Sequence, residues 1–147
     1  AYYVKFKSGT EVARLNYNTK ALLSDAGTAK SLVLHASANA ENENRESIRL
    51  YLTFLAGNPV AGTYKQGDAA FKYLVSGAYN PGDATVTYSA GLTPSTELPL
   101  SITIESINNG VIKGSFKGAF YKHDLATGIM TSDHDNYTEG EFNLPIQ

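Results

Sequence analysis

The chain contains no cysteine, which excludes a disulfide framework, a thiolate nucleophile and any Cys-based metal site. Tryptophan is absent and methionine occurs once. No stretch approaches the roughly 18 consecutive apolar residues that a membrane-crossing helix needs, and the longest apolar run is a few residues around Leu32-Val33-Leu34. There is no run of Lys or Arg to track a phosphate backbone, and twelve basic against fourteen acidic residues leave a net charge of −2. Nucleic acid is therefore not an expected partner. Phosphate-cradling glycine loops and the Gly-x-Ser-x-Gly nucleophile elbow are missing, and His35, His123 and His134 stand in separate segments without metal-ligand spacing. No catalytic apparatus and no cofactor are expected.

What the chain has is aromatic and alternating. Ten Tyr and six Phe in 147 residues suit pleated sheets, and the length suits one domain spanning residues 1–147. Period-2 patterns recur from end to end. Tyr2, Val4 and Phe6 alternate with Tyr3, Lys5 and Lys7, then Gly9 turns the chain toward a hairpin partner at Thr10 to Tyr17. Leu32, Leu34 and Ala36 share a face; so do Ile48, Leu50, Leu52 and Phe54, ending at Gly57-Asn58-Pro59. Phe71, Tyr73 and Val75 lead to the turn Asn80-Pro81-Gly82-Asp83, and Leu100, Ile102 and Ile104 lead to Asn108-Asn109-Gly110. Asn-Gly pairs of that kind favour the primed turns of tight hairpins. Strands are also expected over Ala84 to Tyr88, Val111 to Tyr121 and Tyr137 to Leu144. Lys20 to Ala29, with Leu22, Leu23 and Gly27, reads as a loop. About nine strands without intervening helices point to an antiparallel β-sandwich, with a closed β-barrel as the alternative.

Two groups are candidates for function. Asp133-His134-Asp135-Asn136 reads as a solvated hairpin loop, with a cation held by Asp133, His134 and Asp135 as the alternative; it fails the helix-loop-helix calcium pattern because Tyr137 stands fifth. Tyr3, Tyr51, Tyr64, Tyr79 and Tyr121 are the candidate ligand platform, since Tyr rings stack on sugars and anchor interfaces at little entropic cost. Fourteen scattered acids admit a hydrolase only if two of them converge in a cleft.

The end segments Tyr2-Tyr3-Val4-Lys5-Phe6-Lys7 and Thr138 to Ile146, with Ala61-Gly62-Thr63-Tyr64 and Ile112 to Gly118 between, resemble small secreted β-rich domains of unknown function in envelope lipoproteins of Bacteroidetes-type bacteria. The resemblance implies export, a β-sandwich and lipid attachment through a cysteine upstream of Ala1, where the absence of an initial Met suggests a processed segment. It supplies no catalytic residues. The expectation is a non-enzymatic domain, secreted or in the cell envelope, that binds a glycan or a protein partner; the alternative is a β-barrel carrier of a small apolar ligand.

Overall fold

The computed structural model describes residues 1–38, 46–67, 73–83, 85–91 and 98–147. Among them it has eleven strands and no helix. In chain order these are β1 (Tyr3–Ser8), β2 (Glu11–Leu15), β3 (Tyr17–Ala26), β4 (Ala29–Ser37), β5 (Glu46–Phe54), β6 (Gly62–Lys65), β7 (Tyr73–Pro81), β8 (Val86–Ala90), β9 (Ser101–Asn108), β10 (Val111–Asp124) and β11 (Ile129–Pro145). The fold is all-β, as the alternation predicts.

All strand pairs are antiparallel, in the order β2-β1-β11-β10-β8-β7-β5-β4-β3, with β6 and β9 branching from β10. The branch arises because β10 is long enough for two partners: Val111 to Lys117 pairs with β9 and Tyr121 to Asp124 with β8. Between these halves Gly118 lies so close to Leu100 that a Cβ would sit 2.9 Å from its Cα. At the far edge of the sheet, Ala21 of β3 forms an isolated parallel bridge with Ile146, and the Gln147 N–H donates to the Ala21 carbonyl at 2.9 Å. Edge strand β3 thus meets the chain just past β11, near the other edge, and the sheet is nearly closed into a barrel. Its walls face each other across one core, so the sandwich and barrel descriptions both apply to it.

The alternating residues fill that core. Val4, Phe6, Ile48, Leu50, Leu52, Phe54, Ile102, Ile104, Phe116 and Phe120 are all buried, each worth about 1.5–3 kcal/mol for its transfer from water. Asn109 and Gly110 both have positive φ and join β9 to β10 in a two-residue turn, as the Asn-Gly signal predicts. Gly82, at φ 91, turns the chain after β7, and its N–H bonds the Asn80 side chain at 2.9 Å.

Three local expectations are corrected. The opening hairpin partner ends at Leu15, because a new strand starts at Tyr17. Lys20 to Ala29 is no loop: β3 runs through it and pairs with β4 from Lys20 to Ala26, and Gly27 supplies the hairpin turn. Leu22 and Leu23 remain exposed there; backbone pairing, rather than an apolar face, makes this segment a strand. Asp133 to Asn136 is also no loop but lies within β11, where Asp135 pairs with Phe120 and His134 with Tyr121. Phe71, which the alternation places in a strand, lies outside the described residues.

Candidate functional site

One end of the barrel opens into a cavity of about 470 Å³. The β1–β2 hairpin contributes Phe6, Ser8, Glu11 and Arg14; the start of β5 contributes Glu46; and Tyr79, Tyr88, Asp135 and Tyr137 come from β7, β8 and β11. These residues meet because of register. Ser8 pairs with Tyr137, Tyr79 with Tyr88 and Glu46 with Pro81, so all these strands reach the same rim.

The floor of the cavity is aromatic and belongs to the core. The Tyr137 ring stacks on Phe120 at 4.6 Å and tilts against Phe6 at 4.6 Å, while Tyr79 meets it edge-on at 5.5 Å and 82°. Such edge-to-face and offset pairs are the arrangements that ring quadrupoles favour. They fix the rings before any ligand arrives.

The polar atoms above this floor are unequally satisfied. The Tyr79 hydroxyl donates to the Glu46 carboxylate in a short hydrogen bond. Tyr137 is 1% exposed, yet its hydroxyl has no hydrogen-bond partner among the described residues. Burial pushes both phenols above their ordinary pKa; for Tyr79 the Glu46 hydrogen bond and charge add to it, and for Tyr137 the neighbouring Tyr79 and the Asp135 charge do. Both therefore remain neutral donors at physiological pH. The ring is buried, but the residue lines the cavity, so its hydroxyl is available to a molecule that enters.

A second hollow, of about 530 Å³, lies on the outer face of β1, β11 and β10 and is lined by Tyr3, Glu105, Lys113, Glu139, Glu141 and Asn143, among others. Its charges are largely matched: Lys5 pairs with Glu141 at 3.3 Å and Lys7 with Glu139 at 3.0 Å, and the Tyr3 hydroxyl donates to Glu141 at 3.3 Å. The Arg14 guanidinium lies over the Tyr3 ring at 4.2 Å. At the opposite end of the barrel is a small apolar hollow of about 140 Å³ lined by Leu23, Leu32, Pro59, Ile107, Ile112 and Ile146, among others.

The five candidate tyrosines do not converge. Tyr79 alone lies in the barrel mouth, and Tyr3 lies in the outer hollow. Tyr51 is partly buried on β5 beside Val33 and Ser76. Tyr64 is buried against Phe54 and Tyr73, its hydroxyl donating to the Val60 carbonyl at 2.6 Å. Tyr121 packs on His134 at 4.8 Å. Of the candidate cation ligands, Asp135 lines the mouth, while the strand pleat turns His134 to the opposite face. Among the described residues no group of three His, Cys, Asp or Glu is placed to hold a metal ion.

Sequence reasoning missed Glu11, Arg14, Glu46, Tyr88 and Tyr137. The sequence pattern puts Tyr137 in a strand with nothing to mark it as a platform tyrosine, and only the pairing of distant strands brings it beside Tyr79. No protein-family model, curated protein or solved structure matches the chain.

Proposed function

We propose that this protein is a non-enzymatic binding module that takes a small polyhydroxylated ligand, such as the end of a glycan, in the mouth of its barrel. The observation that carries the reading is Tyr137, whose ring is buried while the residue lines a preformed cavity of ligand size, its hydroxyl having no hydrogen-bond partner among the described residues. A site built to hydrogen-bond a hydroxyl discriminates strongly through such groups. Around it, Tyr79 and Tyr88 supply aromatic surface, while Glu46 and Asp135 supply carboxylate oxygens that accept from sugar hydroxyls. Ligand cavities are typically about 300–1,000 Å³, and this one falls in that range.

The apolar-carrier reading has less support. Its natural site, the barrel interior, is occupied by Phe6, Phe116, Phe120, Phe142 and Tyr137, all buried, and the apolar hollow at the other end is too small for a lipid chain. Convergence of Glu46 and Asp135 in one cavity is the feature that a two-carboxylate hydrolase needs. However, the Tyr79 donor holds Glu46 as an acceptor, which does not suit a general acid. The placement in a bacterial envelope rests on the resemblance of the end segments and is tested by fractionating cells that express the natural gene.

The binding reading is tested by a thermal-shift screen against a glycan panel, since a ligand that binds only the folded state raises the melting temperature. The expected result is a saturable shift that Tyr88→Ala reduces and Tyr51→Ala leaves intact. Reducing-end assays on the same mixtures should show no hydrolysis. A panel without a single shift overturns the reading.

A further inference from the structure

The two large hollows differ in one respect that bears on the ligand. In the outer one, Glu139 and Glu141 already have lysine partners. In the mouth, Glu11, Glu46 and Asp135 line the cavity, and none of them has a cationic partner within 4 Å among the described residues. Arg14 is the one basic residue lining the mouth, and its guanidinium is over the Tyr3 ring on the outer face. The mouth therefore holds three carboxylates against one guanidinium that is engaged elsewhere, above a floor of tyrosine and phenylalanine rings.

Carboxylates can be left unmatched at low cost on an open surface, where water screens them. Here Glu11 and Asp135 are exposed and Glu46 is half-buried, but all three edge one concavity with aromatic walls, which adds their fields at its mouth. Glu46 is fixed by the Tyr79 hydroxyl, and Tyr79 is held edge-on by Phe6 at 5.5 Å, so one carboxylate of the rim is preorganised. Aromatic faces attract cations through the ring quadrupole, and the Tyr137 hydroxyl offers a donor for an oxygen of the same ligand. The aromatic floor, three carboxylates without cationic partners among the described residues, one of them fixed, and a neutral phenol donor together suit a molecule carrying both a positive charge and hydroxyl groups.

We infer that the mouth selects an organic cation, and that its ligand is an amine-bearing sugar with a free ammonium group rather than a neutral one. The inference rests on the binding reading above and adds the charge of the ligand to it. Glu46 and Asp135 receive the ammonium, and Tyr137 donates to a ring or hydroxyl oxygen.

The experiment is a pair of titrations of the full chain, followed by amide NMR and calorimetry at low ionic strength and pH 6. One uses the β-1,4 disaccharide of glucosamine, the other cellobiose, which has the same backbone with hydroxyls in place of the two amines. The expected result is at least about tenfold tighter binding of the amine sugar, or about 1.4 kcal/mol, with shifts at Tyr79, Tyr88, Asp135 and Tyr137. That preference should weaken with added salt and largely disappear in Asp135→Asn, a surface change close to isosteric whose fold the same spectra report. Equal binding of both sugars at the mouth overturns the inference and leaves the binding reading standing. Absence of mouth shifts with either sugar overturns both. An amine preference unchanged by both Asp135→Asn and Glu46→Gln overturns the assignment of the cation to this cavity.

Discussion

Replacing Tyr137 by Phe removes one oxygen and nothing else, so it separates what the hydroxyl does for the fold from what it does for a ligand. The ring is in the core, stacked on Phe120 and Phe6, and the substitution preserves those contacts. In most proteins the loss of a buried tyrosine hydroxyl leaves a partner unsatisfied and destabilises by about 1–3 kcal/mol. Here no partner among the described residues is orphaned, and the substitution makes the cavity wall more apolar beside a buried ring. Tyr137→Phe should therefore leave stability unchanged or raise it by up to about 1 kcal/mol, a gain of no more than about 2–4 °C in melting temperature for a chain of this size. Tyr64→Phe is the control: its hydroxyl donates to the Val60 carbonyl at 2.6 Å, and its loss should cost about 0.5–1.5 kcal/mol. Urea unfolding of the three proteins measures both. A loss of 1 kcal/mol or more in Tyr137→Phe would refute the reasoning, because the hydroxyl would then have a structural partner. In ligand titrations the same variant should bind about two- to twelvefold more weakly, since a hydrogen bond is worth about 0.5–1.5 kcal/mol.

Other positions make independent predictions. Glu139 has φ 52, in the left-handed region that non-glycine residues seldom occupy, and its ion pair with Lys7 is exposed; Glu139→Gly should raise stability by about 1 kcal/mol in urea unfolding. A Cβ on Gly114 would lie 1.9 Å from the Thr103 carbonyl oxygen, so Gly114→Ala should destabilise by more than about 2 kcal/mol or abolish folding, read by circular dichroism and unfolding. Burial, foremost, and the charges of Arg49 and Lys20 lower the His35 pKa, opposed by its hydrogen bond to the Asn18 carbonyl at 2.9 Å. Above the unfolded value of about 6.5 both states hold neutral imidazole, and the His35 contribution is fully present. As the pH falls, the unfolded chain protonates first, so stability declines until the folded midpoint is passed. An NMR titration should place the His35 midpoint below 6.5, and a midpoint above it would contradict the assignment.

The strands were legible where side chains alternate strictly. Ile48 to Phe54 and Leu100 to Ile104 place every second residue in the core, and their sequence declares it. β3 was not legible, because Leu22 and Leu23 follow each other and both stay exposed; its pairing with β4 and the closing contact with Ile146 are what hold it. β11 misled for a related reason. Its Asp133-His134-Asp135 stretch has the composition of a turn, but backbone pairing with β10 carries it as strand. The candidate site was half legible. Tyr79 and Asp135 can be picked from the sequence as a tyrosine and an acid with a binding role, yet nothing local distinguishes Tyr137 from other core aromatics. Glu46 becomes a site residue only through the Tyr79 hydroxyl, 33 positions away, and that distance is closed by sheet register rather than by any motif.

The most direct measurement is an amide NMR map of the isotope-labelled chain titrated with any glycan that raises its melting temperature. The account predicts that the perturbed residues cluster on Ser8 to Arg14, Tyr79, Tyr88, Asp135 and Tyr137. Perturbations confined to the outer hollow at Tyr3 and Glu141, or to the apolar end at Leu23 and Ile107, would contradict it.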